Sequence, residues 1–72
     1  MYGSIGANLR MLRFKKKINQ KEAAAALGLT NQTISNYEQN KKVPRKRNLE
    51  RIALFYGVTV EEIIEADYKD PS

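Results

Sequence analysis

The sequence predicts an all-α fold, a compact bundle of five short helices, and three observations carry that reading. Apolar residues recur at helical spacing between the chain breakers. Two Asn/Thr-x-x-Glu signatures, Asn19 to Glu22 and Thr59 to Glu62, mark helix starts, while Gly28 and Gly57 mark helix ends. No segment carries a strand signal. Seventy-two residues form a single domain, since a second would have no core of its own. With neither cysteine nor histidine, the chain lacks both disulfides and the usual zinc ligands. Helix packing, a partner subunit, or both must hold it, with an expected stability of about 3–5 kcal/mol.

The first helix is expected from about Ile5 to Lys16, with Ile5, Leu9, Leu12 and Lys16 spaced for one face. Its closing Lys15, Lys16 and Lys17 suit the negative end of the helix dipole, which explains them better than a DNA contact does. Asn19 caps the second helix, Gln20 to Leu27, whose alanines favour helix and admit a close neighbour. Gly28 supplies the left-handed exit, and Thr30 caps the next helix two residues later. So short a turn forces the two helices to cross at a large angle.

The third helix runs from Asn31 to about Gln39, followed by a basic loop from Asn40 to Pro44. The fourth is expected to bury Leu49, Ile52, Ala53 and Tyr56, at i, i+3, i+4 and i+7, before Gly57 stops it. Thr59-Val60-Glu61-Glu62 opens a short fifth helix presenting Val60, Ile63 and Ile64. Residues 67–72 read as a frayed acidic tail.

Charge gives the first functional clue. Met1 to Arg47 holds eleven Lys or Arg against two Glu, a net +9, while Asn48 to Ser72 holds two against six acids, a net −4. A basic front with an acidic back suits a polyanion, although charge runs also serve solubility. An enzyme is not expected: there is no His or Cys, and no serine has an obvious base beside it. No apolar stretch approaches the ~18 residues of a membrane span, and the N-terminus lacks a secretory pattern. A soluble, cytoplasmic, nucleoid-associated protein is expected, and zero cysteine fits a reducing compartment.

The third helix is the informative segment. At about 100° per residue, Thr33, Ile34, Tyr37 and Glu38 fall on one side, and Asn31, Gln32, Ser35, Asn36 and Gln39 on the other. That second side bears amides and a hydroxyl but no charge, where an ordinary surface helix would carry Lys and Glu. Asn and Gln bond bidentately to adenine N6 and N7, and Ser and Thr suit several base edges.

Gln20-xxx-Ala24-xxx-Gly28-xxxxx-Ile34 resembles the helix-turn-helix signature of the lambda-repressor-like (Xre) family. Pro44, Leu49, Ala53, Gly57, Val58 and Thr59 to Glu62 resemble its fourth and fifth helices, so the likeness spans about Ile5 to Glu65. The resemblance implies a DNA-binding domain over residues 1–66 and a transcriptional regulator of repressor type on an inverted-repeat operator. Asn31, Gln32 and Asn36 would meet bases in the major groove, with Thr30 and Ser35 nearby. Gln20, assisted by Asn19, would bind a backbone phosphate, as would Lys41, Lys42 and Arg45 after the recognition helix. Arg13 and Glu38 match a pair that bridges helices one and three in many relatives.

Four positions depart from the family pattern. Ala23 stands where leucine is usual, which is expected to thin the contact of helix two with the core. Asn40 replaces a common glycine, Lys46 occupies a commonly apolar position, and Leu54 falls where relatives are polar. Leu54, Phe55 and Ile64 are candidates for a homodimer interface, since relatives often pair through their C-terminal helices. No cofactor or small-molecule ligand is expected. Two alternatives stand beside this reading: an antitoxin-like or anti-regulator protein-interaction module on the same fold, and the excised DNA-binding module of a longer regulator.

Overall fold

The computed structural model describes residues 5–65. The acidic tail at 67–72, and with it the domain limit at 66, lies outside the described residues. Five helices follow in order: α1 (Ile5–Lys16), α2 (Gln20–Leu27), α3 (Asn31–Glu38), α4 (Lys46–Tyr56) and α5 (Val60–Glu65). Among the described residues there is no strand.

The helix ends follow local chemistry. Asn19 and Glu22 form a reciprocal capping box on α2: Asn19 Oδ1 accepts from the Glu22 N–H at 2.7 Å, and Glu22 Oε1 accepts from the Asn19 N–H at 2.9 Å. Thr59 and Glu62 repeat the arrangement on α5, both bonds at 3.0 Å. At the other ends, four helices close with the same paired bonds. Leu29 N–H donates to Ala24 O and Gly28 N–H to Ala25 O, and the equivalent pairs end α1, α3 and α4. This closure needs a left-handed residue, which glycine supplies at Gly28 (φ 67°) and Gly57 (φ 71°). Asn40 (φ 61°) takes that place after α3, as its tolerance of the region allows. Lys17 (φ 61°) takes it after α1, a lysine where no glycine signals the turn.

The core is one cluster. Leu9 and Leu12 from α1 meet Ala24 and Leu27 of α2, Ile34 and Tyr37 of α3, Leu49, Ile52 and Ala53 of α4, and Ile63 of α5. Each large aliphatic side chain enclosed there stabilises the fold by about 1.5–3 kcal/mol. Three details of packing differ from the periodicity. The inner face of α1 is Gly6, Asn8, Leu9, Leu12 and Arg13, with Ile5 only at its edge and Lys16 exposed. Tyr56 is half-buried beside the cluster, since a phenol keeps its hydroxyl near water when it can. On α5 only Ile63 is fully enclosed, and Ile64 is open.

The departures noted in the sequence resolve simply. Ala23 is fully buried, although it lies outside the main apolar cluster. Lys46 is exposed as the first residue of α4 and fills no core position. Asn40 has a second task, for its Oδ1 accepts the Gly6 N–H at 3.0 Å and so satisfies a donor at the start of α1.

Candidate nucleic-acid interface

One carboxylate, Glu38, links α3 to both α1 and α2. Glu38, in the last turn of α3, accepts Arg13 Nε at 2.7 Å and the second Arg13 nitrogen at 3.0 Å, a bidentate pair across to α1. Gln20 Nε2, at the first residue of α2, donates to Glu38 Oε1 at 3.1 Å. Arg13 spends a further donor on Ile18 O at 3.0 Å, in the α1–α2 turn. Both pair members are enclosed, with side chains only 10% and 4% exposed. The hydrogen bond to Glu38 holds Arg13 above its ordinary range, against the opposing cost of burial. Three helices therefore converge on Glu38, and the expected bridge between helices one and three is present.

Beyond this hub, α3 divides as its sequence does. Ile34 and Tyr37 are buried, while Asn31, Gln32 and Gln39 are exposed and Ser35 and Asn36 partly so. The outer face is internally bonded at helical spacing. Gln32 Nε2 donates to Asn36 Oδ1 at 3.1 Å, and Gln39 Nε2 donates to Ser35 Oγ at 2.8 Å. These bonds restrict the long amides without exhausting them, because each NH₂ keeps a second hydrogen and each carbonyl a second lone pair. Thr30 serves as N-cap, its Oγ1 accepting the Thr33 N–H at 3.0 Å.

The predicted phosphate residues divide into two groups. Lys41, Lys42 and Arg45 are exposed in the loop after α3, whose backbone is tied to the helix by the Lys41 N–H to Asn36 O bond at 2.9 Å. Lys46 and Arg47 extend this patch and are also exposed, which the simple charge run could have signalled. Asn19 is exposed at the start of α2 but commits its Oδ1 to the cap. Gln20 turns its amide inward to Glu38, leaving its backbone N–H and second amide hydrogen for any anion.

Other residues that hold this surface were silent in the sequence. Asn8 is fully buried on α1 and donates through Nδ2 to Ile63 O at 2.6 Å, joining α1 to α5. Arg51 of α4 donates to Leu27 O at 2.7 Å, satisfying a carbonyl at the end of α2. Asn48 Nδ2 donates to the Tyr37 hydroxyl at 3.2 Å, tying α4 to α3.

Of the three interface candidates, Leu54 is 83% exposed and Ile64 42% exposed. Phe55 is half-buried against the core, with Lys16 Nζ 4.9 Å from its ring centroid and the Tyr56 ring at 4.9 Å. Open apolar surface is thus supplied by Leu54 and Ile64. Among the described residues no helix is long and apolar enough to cross a membrane, and no group of His, Cys, Asp or Glu could hold a metal ion.

Known proteins resemble this chain in sequence and in fold. A family model described as helix-turn-helix matches residues 9–63. The transcriptional repressor RstR of cryptic phage CTXphi, from Vibrio cholerae, is 33% identical over 58 residues, covering 81% of this chain and 52% of that protein. The HTH-type transcriptional regulator ImmR of Bacillus subtilis (strain 168) is 33% identical over 64 residues, covering 89% and 50%. The chain therefore spans about half the length of these curated relatives. Among solved structures, the P22 c2 repressor protein in complex with synthetic operator 9T superposes with a TM-score of 0.85 at 25% identity, covering 90% of this chain and 98% of that one.

Proposed function

Because this chain belongs to the helix-turn-helix family, in its lambda-repressor-like branch, we propose that it is the duplex-DNA-binding unit of a transcriptional regulator, of repressor type, reading an inverted-repeat operator from the major groove. The observation that carries the reading is the outer face of α3. It is accessible, uncharged and amide-rich, and an exposed basic loop follows it in the chain. Amides in that position discriminate between bases by hydrogen bonding, whereas lysines would bind every sequence alike.

In this reading Asn31, Gln32 and Asn36 contact base edges, and Thr30 and Ser35 lie close enough to assist. Lys41, Lys42 and Arg45 hold the sugar-phosphate backbone and fix the register. Asn19 and Gln20 meet a phosphate through the start of α2. The protein acts by binding, in the cytoplasm and at the nucleoid, and pairs with a second copy through Leu54, Ile64 and the edge of Phe55. Pairing would match a two-fold operator and cover apolar surface that a small monomer leaves open.

Selection of bound sequences from a random duplex pool tests these assignments together. The expected result is a palindrome with half-site centres about 34–36 Å apart. Gln32→Ala and Asn36→Ala should each relax preference at particular positions by about 1–3 kcal/mol. Unchanged preference in both variants would refute the base-reading role. Binding to duplex without preference, together with stoichiometric recovery of another protein, would favour the interaction-module alternative.

A further inference from the structure

The helix that follows the basic loop reaches both α2 and α3 with two polar side chains. Asn48 and Arg51 stand three residues apart on α4, and so on one side of it. Arg51 donates at 2.7 Å to Leu27 O, the carbonyl of the last residue of α2. Asn48 Nδ2 donates at 3.2 Å to the hydroxyl of Tyr37, a buried residue of α3. The apolar packing of α4 is made by other residues, Leu49, Ile52 and Ala53.

The Arg51 bond falls at the turn that joins α2 to α3. Gly28 opens that turn at φ 67°, and a Cβ built on it would lie 3.7 Å from an Arg51 nitrogen. A guanidinium at the carboxyl end of α2 is favoured both by the charge-assisted hydrogen bond and by the helix dipole. The same α4 begins with the exposed cations of the basic patch: Arg45 is its N-cap, and Lys46 and Arg47 follow. Arg45 and Arg51 are about 9 Å apart along one helix axis. The loop before them is tied to α3 by the Lys41 N–H to Asn36 O bond at 2.9 Å, and its other end is seated by the buried Pro44. Loop, α4 and the Asn48 bond therefore form a closed circuit that starts and ends on α3.

We infer that Asn48 and Arg51 are positioning residues, which hold the amide face of α3 in register with the cations at the start of α4. A duplex fixes the spacing between its phosphates and its base edges, so a protein that engages both must hold two surfaces at a matching distance. Without these two bonds, α4 keeps its cations while α3 is free to tilt about the Gly28 turn. Binding then survives and base preference declines. The inference rests on the duplex-DNA reading above and adds to it a determinant of specificity on α4, in residues that are not themselves DNA ligands.

The test is the ratio of affinities for a selected operator and for an unrelated duplex, each measured over a range of salt. Partial unfolding lowers both affinities by the same factor and leaves their ratio unchanged, so the ratio separates positioning from stability. Arg51→Met, which keeps the aliphatic stem, should lower the ratio about five-fold or more, the weight of one bidentate base contact. The slope of log K against log salt should stay that of the wild type. Arg51→Lys, which keeps a charge and a donor, should recover most of the ratio. Asn48→Ala and Tyr37→Phe remove the two ends of one bond, so each should lower the ratio by a similar factor, and the double variant no further. An unchanged ratio in folded Arg51→Met or Asn48→Ala would overturn the inference. So would equal losses on both duplexes with a flattened slope, the mark of a phosphate ligand. A wild type that binds no duplex, or binds all alike, would instead overturn the reading beneath it.

Discussion

Replacing Gly6 by alanine tests the packing that positions α3. A Cβ built at Gly6 would lie 2.6 Å from Glu38 O, 2.7 Å from Tyr37 O and 2.9 Å from Asn40 Cγ. Two of those neighbours are backbone carbonyls in the last turn of α3, so no rotamer change relieves the overlap. Ordinary C···O contacts begin near about 3.3 Å, so α1 and α3 must separate by several tenths of an ångström. Overpacking of this kind costs about 1–3 kcal/mol, and the better helix propensity of alanine returns about 0.5–1. The net loss of about 1–2 kcal/mol is a large part of the stability expected for so small a domain. Thermal unfolding followed by circular dichroism should show the midpoint fall by about 5–15 °C. Propensity alone predicts the opposite sign, because alanine favours helix over glycine. A midpoint equal to or above that of the wild type would therefore refute the close approach of α1 to α3.

Two further outcomes follow from the hub and its surroundings. Arg13→Met strands a buried carboxylate and should cost about 3–5 kcal/mol, enough to unfold most of the protein, while Arg13→Met with Glu38→Leu should recover most of that loss in urea titrations. Tyr56 is held up to about 12 by burial first and by the Glu38 charge second, with Arg13 opposing. Its phenol keeps its proton when folded but loses it near its ordinary value when unfolded. The contribution is therefore intact below about pH 10 and is lost as pH rises from about 10 toward 12. Two pH units convert to about 2.7 kcal/mol, which half-exposure reduces to about 1 kcal/mol. Urea midpoints of wild type and Tyr56→Phe should keep a constant difference up to pH ~9 and then shift in favour of Tyr56→Phe.

Much of this structure was legible because small helical domains punctuate themselves chemically. Asn19 with Glu22, Thr59 with Glu62, Gly28 and Gly57 each perform in the fold the task their residue type suggests. The two faces of α3 were legible for the same reason, since periodicity separates Ile34 and Tyr37 from the amides. The pattern was silent wherever a residue acts across space against its usual role. Lys17 closes α1 in a left-handed conformation that lysine rarely adopts. Asn8 is a polar residue enclosed in the bundle to reach Ile63 O, and Gly6 is small because a carbonyl of α3 stands where its side chain would be.

These silent residues bear on how the surface would work. Gly6, Arg13 and Gln20 touch the end of α3 and the turn that follows it, at Tyr37, Glu38 and Asn40. The amides proposed to meet bases stand on the same eight-residue cylinder, from about half a turn to about two turns away. A rigid helix carries any displacement at its end along its whole length, and base readout by bidentate bonds is sensitive to errors well under an ångström. If α3 reads bases as proposed, specificity would therefore depend on side chains on the opposite side of the helix from the amides. The bonds from Gln32 to Asn36 and from Gln39 to Ser35 then limit what remains, the freedom of the long amides themselves. Anchoring the helix from behind and restricting its side chains in front address separate sources of entropy, and a domain with so small a core has reason to use both.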